Sequence, residues 1–140
     1  MVSDSLRVLE QVAAAHTGTV VYLEPLNRYQ DHMINTLADA RRYIVENNLK
    51  HVQIIGDFYH MNIEEDNLAQ ALHDNRDLLG HVHIADNHRY RPGSGAPDFH
   101  ALFEQLRADN YQGYVVLKGV YGQKILPQAY RDSLAWLRTC

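Results

Sequence analysis

A carboxylate followed three residues later by an imidazole, at the end of an apolar run, is the pattern in this chain best suited to chemistry. It lies in Gly56-Asp57-Phe58-Tyr59-His60-Met61-Asn62-Ile63-Glu64-Glu65. Two further runs end in the same kind of residue. Glu24 closes Val20-Val21-Tyr22-Leu23, and His83 closes His81-Val82. Glu, Asp and His brought together from strand ends make a hard, oxygen-rich donor set suited to a divalent cation. A fourth run, Tyr114-Val115-Val116-Leu117, ends in Lys118. An ammonium repels a metal ion, so the fourth position is the anomaly of the set.

These residues can meet only if the runs they terminate lie side by side. The spacing predicts strands over 19–24, 51–57, 81–85 and 113–117. Between them, apolar residues recur at helical intervals. Leu6, Leu9 and Ala13 mark an opening helix. Met33, Leu37, Ala40 and Ile44 mark a second, ending near Asn47-Asn48. Leu68, Ala71, Leu72 and Leu79 mark a third, with Asp66 as its N-cap. Asp98 caps a fourth through Phe99, Leu102, Phe103 and Leu106, and Leu126, Tyr130, Ser133 and Leu137 line the last. Glu64 and Glu65 read as acids on a solvated helix start. The loop 89–97 holds the only Pro/Gly/Ser cluster. Strands alternating with helices predict an α/β fold with a parallel sheet, whose chemistry sits at the carboxyl ends of the strands. If Glu24, Asp57, His83 and Lys118 share a face, then Val20, Tyr22, Gln53, Ile55, His81, Tyr114 and Val116 share it too. Val21, Leu23, Val52, Ile54, Val82, Ile84, Val115 and Leu117 form the opposite, aliphatic face, which should meet the helices.

Bulk properties narrow the function classes. The chain has 140 residues, enough for one domain over 1–140. Its net charge is −4, with no basic run, so there is no electrostatic case for nucleic acid as a partner. No secretory leader pattern or membrane-length apolar run is present, which predicts no membrane association. The single cysteine, Cys140, allows no internal disulfide and suits a reducing cytoplasm.

Three motifs carry a resemblance: Leu23-Glu24-Pro25-Leu26-Asn27-Arg28; Asp57 with His60-Met61-Asn62 and Glu64-Glu65; and His83, Ala85-Asp86 and Arg89 followed by Pro92-Gly93, Gly95 and Asp98-Phe99. Together they resemble the sugar isomerase/epimerase superfamily of xylose-isomerase-like TIM barrels, nearest in pattern to ketose 3-epimerases and hydroxypyruvate isomerases. The similarity covers nearly the whole chain and corresponds to the second half of the barrel. It implies half of a (β/α)8 fold and a manganese or magnesium ion held by Glu, Asp, His and Glu from four strands. The ion would polarise a ketose, while two glutamates exchange a proton through an enediolate. Carried onto this chain, the resemblance makes Glu24, Asp57 and His83 metal ligands. His60 and Arg89 become residues that hold substrate oxygens. The two acid/base positions fall on Glu24 and Lys118. A further glutamate of the pattern falls on Gln30.

Glutamate to lysine changes the site by two unit charges. Each unit charge facing a dication at about 4 Å, with an effective dielectric of about 20, is worth up to about 8 kcal/mol. A small fraction of that exceeds the roughly 1.4 kcal/mol of a tenfold change in affinity. The expectation is that the Lys118 ammonium replaces the cation and pairs with Glu24 and Asp57. Two functional readings follow. One is a truncated relative with a degenerate, weakly active or inactive site. The other is a working metal-dependent isomerase or epimerase on a small hydroxy-ketone, with water as fourth ligand. Four parallel strands also leave two open edges and one uncovered face. That predicts a homodimer meeting through Tyr22, Ile55, Tyr114 and Val116, in its simplest form an eight-stranded barrel with a two-fold axis.

Overall fold

The computed structural model describes residues 2–119 and 127–140, the side chains of residues 2 and 3 excepted. Its elements run α1 (Val2–Ala15), β1 (Val21–Leu23), α2 (Leu37–Glu46), β2 (Val52–Asp57), α3 (Phe58–Glu64), α4 (Leu68–Asp74), β3 (Leu79–Ile84), α5 (Phe99–Ala108), β4 (Tyr114–Leu117) and α6 (Pro127–Leu137). The four strands are parallel, and sheet order follows chain order, β1-β2-β3-β4. This is half of a (β/α)8 barrel. Among the described residues no helix is long and apolar enough to cross a membrane. Leu126, assigned to the last helix from its spacing, lies outside the described residues.

The helices start where side chains supply the missing acceptors of the first turn. Thr36 caps α2: its hydroxyl accepts the Asp39 N–H at 3.0 Å, and Asp39 accepts the Thr36 N–H in return. Asp98 caps α5 by accepting the Ala101 N–H at 3.1 Å. The cap of α4 is Asn67 rather than Asp66, since the Asn67 side chain accepts the Gln70 N–H at 3.0 Å. Leu79 belongs to β3, not to the preceding helix; it falls seven residues after Leu72, a spacing that also fits two turns of helix. Met33 precedes α2 and is exposed, and Leu9 is exposed on α1. Helix α3 has only seven residues, too few to show a period. Its presence puts Glu64 and Glu65 at a helix end rather than a start.

One face of the sheet is covered and the other is open. Val52, Ile54, Val82 and Ile84 pack with Leu37, Ile44, Phe58, Leu72, Phe99 and Leu102 in the core. On the other face Tyr22 is 43% exposed, Tyr114 79% and Val116 41%. The aliphatic face therefore meets the helices as its alternation requires, except at β4. There Val115 remains 36% exposed, whereas Val21 and Leu23 on the other edge strand pack against the core. A register shift between Ile54 and Ile55 sets Asp57 level with His83. Leu23 pairs with Ile54 and Ile84 with Leu117, so Glu24 and Lys118 each lie one residue past a paired position. The Lys118 N–H, donating to the Ile84 carbonyl at 2.9 Å, extends that register to the lysine itself.

Candidate functional site

The strand ends bring Glu24, Asp57, His83 and Lys118 into one cluster. The Lys118 ammonium donates to Glu24 Oε1 at 2.5 Å and lies 3.2 Å from Asp57 Oδ2. His83 Nδ1 lies 3.1 Å from the same Glu24 oxygen and 3.7 Å from Asp57 Oδ2. An ionised carboxylate only accepts, so His83 donates its Nδ1–H to Glu24. Asp57 divides its oxygens. Oδ1 caps α3 by accepting the Tyr59 N–H at 2.9 Å, while Oδ2 faces the cluster. Burial favours the neutral form of Glu24. The hydrogen bonds from His83 and Lys118, with the charge of the lysine, outweigh it and hold the carboxyl down at about 2. Glu24 is thus fully ionised at neutral pH.

His60 is buried on α3, one turn after Asp57, with its Nε2 3.9 Å from Asp57 Oδ2. Burial lowers its pKa below the ordinary imidazole value; Asp57 opposes this and Arg89 adds to it. Arg89 has φ +64°, and its guanidinium lies over the Tyr59 ring, 4.7 Å from the centroid. The aromatic face carries negative charge density, which suits a cation there.

Glu24, Asp57 and His60 each present one ligand atom, all within 4.8 Å of one another. That donor set has the composition a divalent ion prefers. The ammonium of Lys118 also sits on Glu24 Oε1 and Asp57 Oδ2. Both of those oxygens are engaged with an internal cation. The pairing of Lys118 with Glu24 and Asp57 expected from the sequence is present.

Some contributors carry no signal that spacing alone reveals. Asn27 is buried, and both its backbone N–H and its side-chain amide reach His60 Nδ1. Asp86 is buried and accepts the N–H groups of Asn87, Ser94 and Gly95, which fixes the loop that carries Arg89. Glu64 grips Arg28 through its backbone N–H and its guanidinium, at 2.6 and 2.9 Å. Glu65 accepts the Leu37 N–H at 2.8 Å, pinning the first turn of α2. All four lie inside the quoted motifs; a small polar residue within such a motif was the available clue. His81 lies between Tyr22 and His83, tilted to the first and edge-on to the second, with centroids at 5.5 and 4.9 Å.

The family model for the xylose isomerase-like TIM barrel matches residues 1–140. This chain belongs to that family. It is 89% identical over 140 residues to the 3-dehydro-D-guloside 4-epimerase of Escherichia coli K12, covering all of this chain and 53% of the relative. It is 38% identical over 136 residues to the D-psicose 3-epimerase of Enterocloster bolteae, covering 93% of this chain and 44% of that one. Among solved structures, the apo 3-keto-D-glucoside 4-epimerase of E. coli superposes with a TM-score of 0.94 at 88% identity, over 99% of this chain and 52% of the other. The chain thus spans about half the length of the relatives it matches, and that half is the carboxyl-terminal one.

Proposed function

We propose that this chain is half of a sugar-epimerase barrel in which Lys118 holds the cation position, leaving the site weakly active or inactive in this form. The observation that carries the reading is the placement of the Lys118 ammonium at 2.5 Å from Glu24 and 3.2 Å from Asp57. Two carboxylates that would face a divalent ion share one internal ammonium, and one of the two acid/base glutamates is replaced. The ligand class is a keto sugar or keto-glycoside, by similarity to the epimerases of guloside and psicose substrates. Glu24 supplies the remaining carboxylate base, and His60 and Arg89 hold substrate oxygens.

The half-barrel is completed by a second copy. A two-fold axis along the barrel would place β4 of one copy beside β1 of its partner, twice. The exposed Tyr22, Tyr114 and Val116 would then face the barrel interior. Val8, Leu9 and Val12, exposed on the helix that precedes β1, would lie over the seam. We place the protein in the cytoplasm, where its lone thiol stays reduced.

Calorimetric titration with Mn²⁺ tests the reading. The native protein should give no binding heat at micromolar metal, and Lys118→Glu should bind. Micromolar binding by the native protein would overturn it. The 89% identity to an epimerase supports a second reading, in which Lys118 swings aside and the site works with manganese. Manganese-dependent turnover of a keto sugar, lost in Glu24→Gln, would establish that reading instead.

A further inference from the structure

His60 presents its two ring nitrogens to very different surroundings. Nδ1 receives two contacts from Asn27: the backbone N–H at 3.1 Å and the side-chain amide nitrogen at 2.9 Å. Nε2 is buried, has no hydrogen-bond partner among the described residues, and faces the Glu24–Asp57 pocket. The direction of the first contact is beyond doubt, since a backbone N–H can only donate. Nδ1 must therefore carry the lone pair, and a neutral ring then carries its proton on Nε2. The orientation of the Asn27 amide is fixed separately. Its Oδ1 accepts the Tyr29 N–H at 3.1 Å, which turns the NH₂ toward His60. The Asn27 carbonyl accepts the N–H groups of Gln30 and Asp31, so every polar atom of this buried residue is committed. One turn further along α3, Glu64 holds Arg28, so the loop after β1 is stapled to the helix at two consecutive residues.

We infer that Asn27 is a positioning residue that locks His60 as the Nε2–H tautomer, making His60 a hydrogen-bond donor to a ligand oxygen and excluding it from the metal ligands. A protonated nitrogen has no lone pair to offer an ion, and Nδ1 is occupied. The acceptor that fits is a hydroxyl, carbonyl or oxyanion oxygen of a small polyhydroxy compound seated against Asp57. This deepens the proposed function by giving His60 a defined role toward the keto-sugar ligand. The tautomer itself depends neither on metal nor on turnover.

The experiment is a long-range ¹⁵N–¹H correlation spectrum of the histidine-labelled protein, native and Asn27→Asp. In the native protein, the His60 Nε2 signal should be that of a protonated ring nitrogen and Nδ1 that of an unprotonated acceptor. Aspartate at position 27 removes the amide donor but keeps the backbone N–H, so Nδ1 should remain an unprotonated acceptor. A native spectrum with the proton on Nδ1 overturns the inference. So does a folded Asn27→Asp protein whose Nδ1 becomes protonated, since the backbone N–H would then not set the tautomer. Urea titration reports whether the variant folds; should it not, the native spectrum alone decides.

Discussion

The inner strands β2 and β3 and the edge strand β4 belong to one sheet and carry residues of one site, yet their surroundings differ sharply. Val52, Ile54, Val82 and Ile84 are essentially removed from solvent, whereas Tyr114, Val115 and Val116 are all exposed. Asp57, at the end of β2, is buried and tied to α3. Lys118, at the end of β4, keeps a third of its side chain exposed. The contrast separates what this half-barrel holds by itself from what the proposed partner half would provide. The Asp57–His60–Asn27 side is held together by contacts within the chain. The Lys118 side lies on an edge that four strands cannot close.

Substitutions on the two kinds of strand should show the contrast directly. Ile54→Ala opens a cavity in a fully buried position and should cost about 2–5 kcal/mol in urea denaturation. Lys118→Met strips the counter-ion from Glu24 and Asp57. It should cost about 1–3 kcal/mol at neutral pH, less than for a fully buried pair because the lysine is partly solvated. The same variant tests a pH dependence. Glu24 falls from an ordinary 4.5 to about 2 in the folded protein. Its contribution to stability is therefore fully present above about pH 4.5 and is lost as the pH drops toward 2. Urea midpoints across that window should fall less steeply in Lys118→Met than in the native protein. Thr36→Ala removes a cap at some distance from the site and should cost about 1 kcal/mol. Val116→Ala should be the mildest, within about 0.5 kcal/mol for the separate half-barrel. Val116→Asp then sharpens the comparison: light scattering should show the proposed dimer lost at micromolar concentration while the circular dichroism of the fold remains. A Val116→Asp protein that stays dimeric would place the interface elsewhere.

Much of this arrangement was legible in the residues. Apolar runs ending in Glu24, Asp57, His83 and Lys118 announced both the parallel strands and the cluster at their ends, because a strand buried on one face alternates whatever its neighbours are. Asp98 was readable as a cap because it stands immediately before a periodic run. Asp66 was a wrong choice because Asn67, the next residue, has equal capping chemistry, and only backbone geometry distinguishes them. Met33 shared the spacing of α2 but lies in the loop before it, where Asn35 holds the Leu26 and Asp31 carbonyls. The register shift at Ile54 and Ile55 has no counterpart in the sequence pattern, although it is what levels Asp57 with His83. Asn27 escaped for a similar reason. Its importance lies in which atom of His60 it touches, a relation across 33 residues that no local spacing encodes.

The divided carboxylate of Asp57 has an evolutionary consequence. One oxygen serves the fold, as the cap of α3, and the other serves the site. Among the described residues Glu24 and Lys118 cap no helix, and what they add to stability is the ion pair itself, which goes when either changes. In a lineage released from selection for activity, drift would reach positions 24 and 118 first. Position 57 would stay acidic, or change only to another capping residue, long after the chemistry had gone. An aspartate retained there in distant sequences is thus a poor witness to catalysis, and the residue at position 118 is a much better one.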